Sequence, residues 1–569
     1  MPSTYCLLSN GGLHFLPYHN SNSTDISLTR SDIGENTTGT KDSGQSMPLP
    51  SQSAFGIASS SSLPGMVPKD SSSRIFSTIF TSKARNQYPQ QTSSIMGISS
   101  NSVASTVSSS CQSCVSNADW LVSGGKQDDY SLSKSRSTSP SVAKEVEKCC
   151  AHSIYLPDRY IEPTESSNQK LQVRQMLLEI FPEWGNNEDF IELHELTGGI
   201  TNMLLKCTYK GPENVQNGYK TVLIRTYGRG TGLLIDRDRE FVSHLVLNSY
   251  NLAPKVFARF GNGLVYGFIE GRALHFDELS NPSVYPFIAS RLGQWHRTVR
   301  VKVIEEGLRR MRLEFRQSEK VEVSKKRPGN IWELIKGWID ILPQIKGLVA
   351  VCDKNQDLQQ VRMDAKDPES IQLTLKQILS RELEWLASEI GDCSPQVAAH
   401  SDLLCGNIII PSELSRELEE AGRNSKISTR HLHFDTNPIA FIDYEYMMPG
   451  PRAFDISNHF QEWQGFACDK SLIPKPVRTN QLLRKWCTSY LQKEGSEVTE
   501  VMIDDLIDEI SLYYGMPGFY WGIWAGIQST ISLIDFDYGG YSGQRLVEYW
   551  NWKRWYLKEK GSRLYKCLK

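Results

Sequence analysis

The chain has 569 residues, 39% hydrophobic and 22% charged, which is material for a sizeable core and for about two or three domains. Its formal net charge of −2 supplies no global field toward nucleic acid or an anionic membrane, so nucleic-acid binding is disfavoured. No basic leader with a sustained apolar run opens the sequence, so its 12 cysteines are expected as reduced thiols in a cytoplasmic protein rather than as a disulfide framework. Cys111 and Cys114 have CxxC spacing but no second pair or His at zinc-site distance, and are read as an ordinary pair.

Taken in chain order, residues 1–160 come first as a Ser-rich tail. Runs such as Ser59-Ser60-Ser61-Ser62 and Ser108-Ser109-Ser110 lack apolar periodicity, and such a chain cannot offset its ordering entropy, so disorder is expected. Order begins with a helix near Leu171, carrying Met176, Leu178 and Phe181 and closed by Pro182. Strand-like runs follow at Phe190 to Leu193, Met203 to Tyr209 and Thr221 to Thr226, then a helix from Asp236 to Ser249. Val256 to Phe260 and Leu264 to Ile269 flank Gly261-Asn262-Gly263, a hairpin turn signal.

From Phe287 onward helical periodicity dominates, as in Leu375, Ile378, Leu379, Leu383, Leu386 and Ile390, with Ser394-Pro395 as a stop. The charged segment Glu413 to His433, inside the Pro411 to Pro438 insertion, reads as a surface excursion. Phe519 to Phe536 is apolar but interrupted by Gln528, Ser529, Thr530, Ser532 and Asp535, which suits a buried helix better than a membrane span. A small antiparallel sheet followed by a large helical region is an α+β two-lobe layout. The small lobe is expected over 170–270, a hinge at Phe268 to Leu274, and the large lobe over 275–569.

Chemistry concentrates in His400-Ser401-Asp402-Leu403-Leu404-Cys405-Gly406-Asn407, followed by an apolar run and then Phe441-Ile442-Asp443-Tyr444-Glu445. Phosphoryl transfer to a hydroxyl needs a carboxylate to accept the proton and oxygen ligands to hold Mg²⁺ against the phosphates. Asp402 suits the first task, Asn407 and Asp443 the second. Any one of them alone would pass as a turn residue or a strand-end cap; the ordered set reads as a kinase-like catalytic loop. Upstream, Thr197-Gly198-Gly199-Ile200-Thr201-Asn202 offers close backbone approach to phosphates, with Thr201 and Asn202 as side-chain donors, although a Gly-Gly turn is common by itself. Arg225 at a strand end and Glu240 on the next helix have the order of a cation and carboxylate that pair over a nucleotide. Trp521 and Trp524 share a helix face, with Tyr538 and Tyr541 after them and Glu462 before, as either a core stripe or a pocket for an ammonium group.

These motifs resemble the choline/ethanolamine kinase family over about residue 170 to the C-terminus. The resemblance rests on His400 to Asn407, on Phe441 through Trp463 and on Phe519 to Trp524 with Ile534, Tyr538 and Tyr541. It implies a protein-kinase-like, aminoglycoside-phosphotransferase-like fold. It also implies ATP and Mg²⁺, with Asp402 as base, Asn407 and Asp443 as metal ligands, Arg225 on phosphate, and adenine against Ile269 at the hinge. Glu462, Trp521, Trp524 and Tyr541 would line the amine pocket.

Gly199 to Asn202, Leu234 to Glu240 and Asp402-Leu403-Leu404 look like the ethanolamine branch, whose product begins a route to phosphatidylethanolamine; a choline or dual-specificity kinase is the alternative. A catalytically dead kinase-like binding module, or a scaffold working through its Ser-rich tail, are the alternatives of another kind. The expected partners are the small amino alcohol and ATP, with a homodimer as the candidate association and neither nucleic acid nor stable membrane insertion. Two positions depart from the family pattern. Ser401 stands where Asn is usual, and Gly465-Phe466-Ala467 stands where choline kinases place a pocket aromatic, which would suit a primary ammonium.

Overall fold

The computed structural model describes residues 153–161, 167–196, 202–212, 220–228, 231–318, 327–355, 373–421, 437–465, 468–532 and 534–560. Most of the expected Ser-rich tail, the Cys111 and Cys114 pair, Gly198, Gly199 and Thr201 lie outside the described residues.

The small lobe is a six-stranded sheet in the order β1-β5-β6-β4-β3-β2. Its strands are β1 (Ile154–Leu156), β2 (Ile191–Glu195), β3 (Asn202–Tyr209), β4 (Thr221–Tyr227), β5 (Val256–Phe260) and β6 (Gly263–Gly267). All pairings are antiparallel except β1 with β5. Period-2 alternation sorts β4 into two faces. Val222 and Ile224 are fully buried against helix α1 (Ser167–Ile180), while Leu223 and Arg225 face the cleft between the lobes. The helix expected near Leu171 is present with a different buried stripe. Val173, Met176, Leu177 and Ile180 pack inward, and Leu171 is 41% exposed. Helix α2 (Arg237–Ser249), capped by Asp236 accepting from the Arg239 N–H, is inserted between β4 and β5.

One boundary moves. The expected tail runs to residue 160, yet Ile154–Leu156 form β1 and pair in parallel with Ala258, Arg259 and Phe260. Asn262 in the hairpin turn secures the chain just beyond, accepting from Ile161 N at 3.0 Å and donating to Ile161 O at 2.7 Å.

After β6 the chain crosses the hinge into β7 (Arg272–Ala273), which pairs with β9 (Ile408–Ile410) of the large lobe. That lobe contains α3 (Tyr285–Thr298), α4 (Val301–Ser318), α5 (Ile331–Ile341), α6 (Lys346–Asn355), α7 (Leu375–Ile390), β8 (Gln396–Ala399), α8 (Ser412–Ala421) and β10 (Ala440–Phe441). It continues with β11 (Met448–Pro451), α9 (Arg452–Gln461), α10 (Gln481–Leu491), α11 (Glu500–Tyr513), α12 (Met516–Ile531) and α13 (Tyr538–Glu559). Two small sheets, β10-β9-β7 and β11-β8, carry the loops that matter.

Helix α12 is buried on every face from Met516 to Gln528, as an apolar helix inside a large core should be. Gly518 and Gly522 let α13 approach it. A Cβ on Gly518 would fall 2.6 Å from Arg545 O, and one on Gly522 would fall 2.8 Å from Leu546 Cγ. Among the described residues no helix is long and apolar enough to cross a membrane. The insertion begins as α8, and residues 422–436 lie outside the described residues.

Candidate active site

The turn from β8 into β9 carries His400 to Asn407, and helix α9 holds it from below. The Asp455 carboxylate accepts the backbone N–H groups of His400 at 2.8 Å and Ser401 at 2.7 Å, and a third bond from His296 Nε2 at 2.9 Å. Burial pushes that carboxyl up, but the His296 bond and the neighbouring histidines hold it below its ordinary range. Asn458 Nδ2 donates to Ser401 O at 2.9 Å, and His459 Nδ1 donates to Leu403 O at 2.9 Å. Ser401 adopts φ +63°, a region Asn tolerates better than Ser, and its buried hydroxyl has no hydrogen-bond partner. Its contribution is backbone geometry that turns the fully buried Asp402 toward the site.

Asn407 donates through Nδ2 to Asp402 O at 2.8 Å and Asp402 Oδ2 at 3.2 Å, so one side chain fixes both the loop and its carboxylate. The Oδ1 of Asn407 is buried with no hydrogen-bond partner, a hard oxygen suited to a cation. Asp443 follows β10 at φ +65°. The two strands register through Ala440 with Ile409 and Phe441 with Ile408, and Ile442 N donates to Asn407 O at 3.0 Å. Asn407 and Asp443 are therefore held beside the ends of adjacent strands. Among the described residues no three His, Cys, Asp or Glu side chains converge on a metal by themselves. An amide oxygen with a carboxylate fits Mg²⁺, which binds through one or two carboxylates together with substrate phosphates.

Arg225 crosses from the small lobe to this centre. Its Nη1 donates to Asp443 Oδ1 at 2.8 Å, its Nη2 bonds Glu445, and its Nε lies 3.6 Å from Glu240 Oε1. The expected pairing of Arg225 with Glu240 is thus present, inside a larger cluster. Burial works against the Arg225 cation, yet Asp443, Glu445 and Glu240 raise its pKa well above the ordinary value. Arg237 lies beside it, 2.8 Å from Glu240 and 2.9 Å from Glu445, with its guanidinium 4.1 Å over the Tyr227 ring. Three carboxylates, Glu240, Asp443 and Glu445, face the two guanidiniums, formally one negative charge in surplus. Arg237 and Glu445 were missed by the sequence reading. The Asp-Tyr-Glu run and the Arg237-Asp238-Arg239 run were visible, but only the fold brings them together.

The cleft above the cluster is lined by Leu204, Leu223, Leu264, Phe268, Ile269 and Ile442 among others. Ile269 sits in the hinge after β6 ends at Gly267, two residues earlier than expected. Asn202 opens β3 opposite Tyr227.

Beyond Asp402 lies the aromatic wall. Trp521 donates to Asn458 Oδ1 at 2.7 Å and Trp524 to Tyr446 Oη at 2.9 Å, and the two indoles meet edge to face at 5.4 Å. Burial above all, then the carboxylates of Glu445 and Asp402, hold the Tyr446 phenol well above its ordinary pKa. This residue, also missed by the sequence reading, lies between the His400 to Asn407 loop and the wall. Tyr541 joins through Phe536, 5.8 Å away, and lies under the fully buried Arg545. Glu462, at the end of α9, keeps an Oε1 without a hydrogen-bond partner, and burial raises its carboxyl pKa while Arg545 opposes the rise. Gly465, at φ +61°, turns the chain against Phe276, whereas Phe466 and Ala467 lie outside the described residues.

A family model for choline/ethanolamine kinase matches residues 193–550. The chain belongs to the choline/ethanolamine kinase family. It is similar to mouse ethanolamine kinase 1, at 30% identity over 384 residues, covering 66% of this chain and 88% of that protein. It is similar also to the probable choline kinase 3 of Arabidopsis thaliana, at 27% identity over 389 residues, covering 67% and 92%. Among solved structures, a Plasmodium vivax ethanolamine kinase aligns at 25% identity and a TM-score of 0.47, over 73% of this chain and 95% of that one. The protein is a kinase, and its two-lobe architecture is the kinase-like one the motifs implied.

Proposed function

We propose that this kinase transfers the γ-phosphoryl group of Mg²⁺-ATP to the hydroxyl of ethanolamine, giving phosphoethanolamine. The observation that carries the reading is the position of Asp402. It is buried and held by Asn407, with Asp443 and the interlobe cleft on one side and the wall of Trp521, Trp524 and Tyr446 on the other. The ethanolamine kinases among its relatives support the choice of amine.

In this reading Asp402 accepts the acceptor's hydroxyl proton as the oxygen attacks phosphorus. Asn407 and Asp443 hold Mg²⁺, which when bound neutralises phosphate oxygens. Arg225 contacts phosphate, with Glu240 behind it. The hinge at Ile269 receives the base. Glu462 supplies the counter-charge to the ammonium and Trp521, Trp524 and Tyr541 its walls; an ammonium over aromatic faces gains about 0.5–2 kcal/mol per contact. A cytoplasmic setting is consistent with the free thiols of Cys207, Cys352 and Cys487, all buried.

The test is ADP release with ethanolamine or choline as sole acceptor. Turnover on ethanolamine well above choline, falling by about 10²–10⁴-fold in Asp402→Asn, is expected. Preference for choline would move the chain to the other branch of the family, and unchanged turnover in Asp402→Asn would remove Asp402 from catalysis.

A further inference from the structure

The insertion read from the sequence as a surface excursion reaches back onto the nucleotide cleft. Helix α8 begins two residues after β9 ends and returns over the hinge. On its first turn Ser415 is buried, accepting from Arg272 Nε at 2.7 Å and donating to Glu419 Oε1 at 3.2 Å. The rest of the Arg272 fork is engaged by Glu278, Nη1 to Oε2 at 2.8 Å and Nη2 to Oε1 at 2.8 Å. Arg272 is therefore clamped at all three nitrogens, between a residue just past the hinge and a residue of the insertion.

Arg272 is also part of the cleft wall, with Gly271 and Ala273 beside it. Its strand has no slack. Gly271 sits at φ +142°, where a Cβ would fall 2.2 Å from Ile410 O, so β7 is pressed against β9. A solvated excursion needs no buried hydroxyl inside an ion-pair network. Here the hydroxyl ties the insertion to the one short strand that connects the hinge to the sheet carrying Asn407.

We propose that Ser415 is a positioning residue for the nucleotide: through Arg272 it holds the strand against which the base end of the cleft is built. The inference rests on reading that cleft as the nucleotide site. Without the hydroxyl, Arg272 keeps only Glu278 and its own strand, and the hinge wall must be ordered at the expense of nucleotide binding. The amine pocket stands on α9, α12 and α13, which α8 does not contact through this network, so acceptor binding is untouched.

The experiment uses the full chain with Ser415→Ala, Ser415→Thr and Arg272→Lys, and reads Mg²⁺-ADP binding by calorimetry beside steady-state kinetics. Ser415→Ala should weaken ADP and raise KM for ATP by about 10–100-fold, the loss of a hydrogen bond to a charged group. Its KM for the amine and its kcat should stay at wild-type values. Ser415→Thr restores the hydroxyl and should bind ADP as wild type does, whereas Arg272→Lys should repeat the selective loss. ADP binding unchanged in Ser415→Ala would overturn the proposal. So would a loss shared equally by both substrates together with a lower Tm, since that marks a merely structural contact. Wild-type protein that fails to bind ADP would instead remove the nucleotide reading itself.

Discussion

Glu462 carries two opposed demands. Its carboxyl is buried enough for its pKa to be raised, yet an ammonium needs it charged. A raised folded pKa means the folded state binds the proton more tightly than the unfolded chain. Stability is therefore greatest below the unfolded carboxylate value and declines as pH rises through the folded one. At neutral pH the charge costs stability that the ligand recovers. Glu462→Gln should raise Tm by about 2 °C and raise KM for ethanolamine by about 10–100-fold, checked by thermal melts and initial rates. A variant that lost stability and kept its KM would mean that Arg545, rather than substrate, is the partner this carboxylate serves. Asp402, Asn407 and Asp443 could be singled out in the chain because each lies in a short motif with chemistry in its spacing, and the fold brings their loops together. Tyr446, Arg237 and Glu445 could not be assigned roles, because their partners sit on other elements, and a salt bridge such as Arg237 to Glu445 spans 208 positions.

At the scale of elements, α12 and α13 form the face on which the proposed amine wall is built, and their separation depends on glycine. Gly518 and Gly522 each stand where a methyl group would meet α13 backbone or Leu546. Gly522→Ala should cost about 1–3 kcal/mol by overpacking and lower Tm by several degrees. It should also raise KM for the amine, since Trp521 and Trp524 flank that position; a melt and a KM measurement check both. Helices and strands with strong period were legible: β4, α2 and α7 stand within a residue or two of where the pattern put them. The stripe of α1 was misphased because Leu171 and Val173 are equally apolar, and only packing against the sheet decides between them. β1 escaped notice because three residues carry no usable period and the strand's partner, β5, lies some hundred positions away.

Across the whole molecule, buried neutral histidines set the response to acid. His459 donates through Nδ1 to Leu403 O and receives Trp463 Nε1 on Nε2 at 3.3 Å, an arrangement open only to the neutral ring. Burial lowers its pKa to about 4, and that of His244, packed between Tyr266 and Tyr444, to about 3. A depressed folded pKa leaves the unfolded chain holding more protons. The stability they contribute is whole above the ordinary histidine value of about 6.5 and drains away as pH falls below it. Tm should therefore fall between pH 7 and pH 5, the raised carboxyl of Glu462 opposing the trend, with a shallower fall in His244→Gln; a flat profile would place these rings in contact with solvent. Two lobes, their order and the cleft between them were legible in the sequence, since they follow from where strands give way to helices. What the cleft is made of was less so, because both lobes and the insertion contribute to it.

The parallel seam of β1 has a practical meaning for anyone shortening this chain. β5 has β6 on one side and β1 on the other, so Ile154–Leu156 are what keeps it from being an open edge. A version starting at residue 151 retains the seam and the Asn262 clamp on Ile161. One starting at 162 discards both and presents bare β5 as a template on which a second molecule could build its own strand. The eleven residues 151–161 thus decide whether β5 is a paired strand or a bare edge.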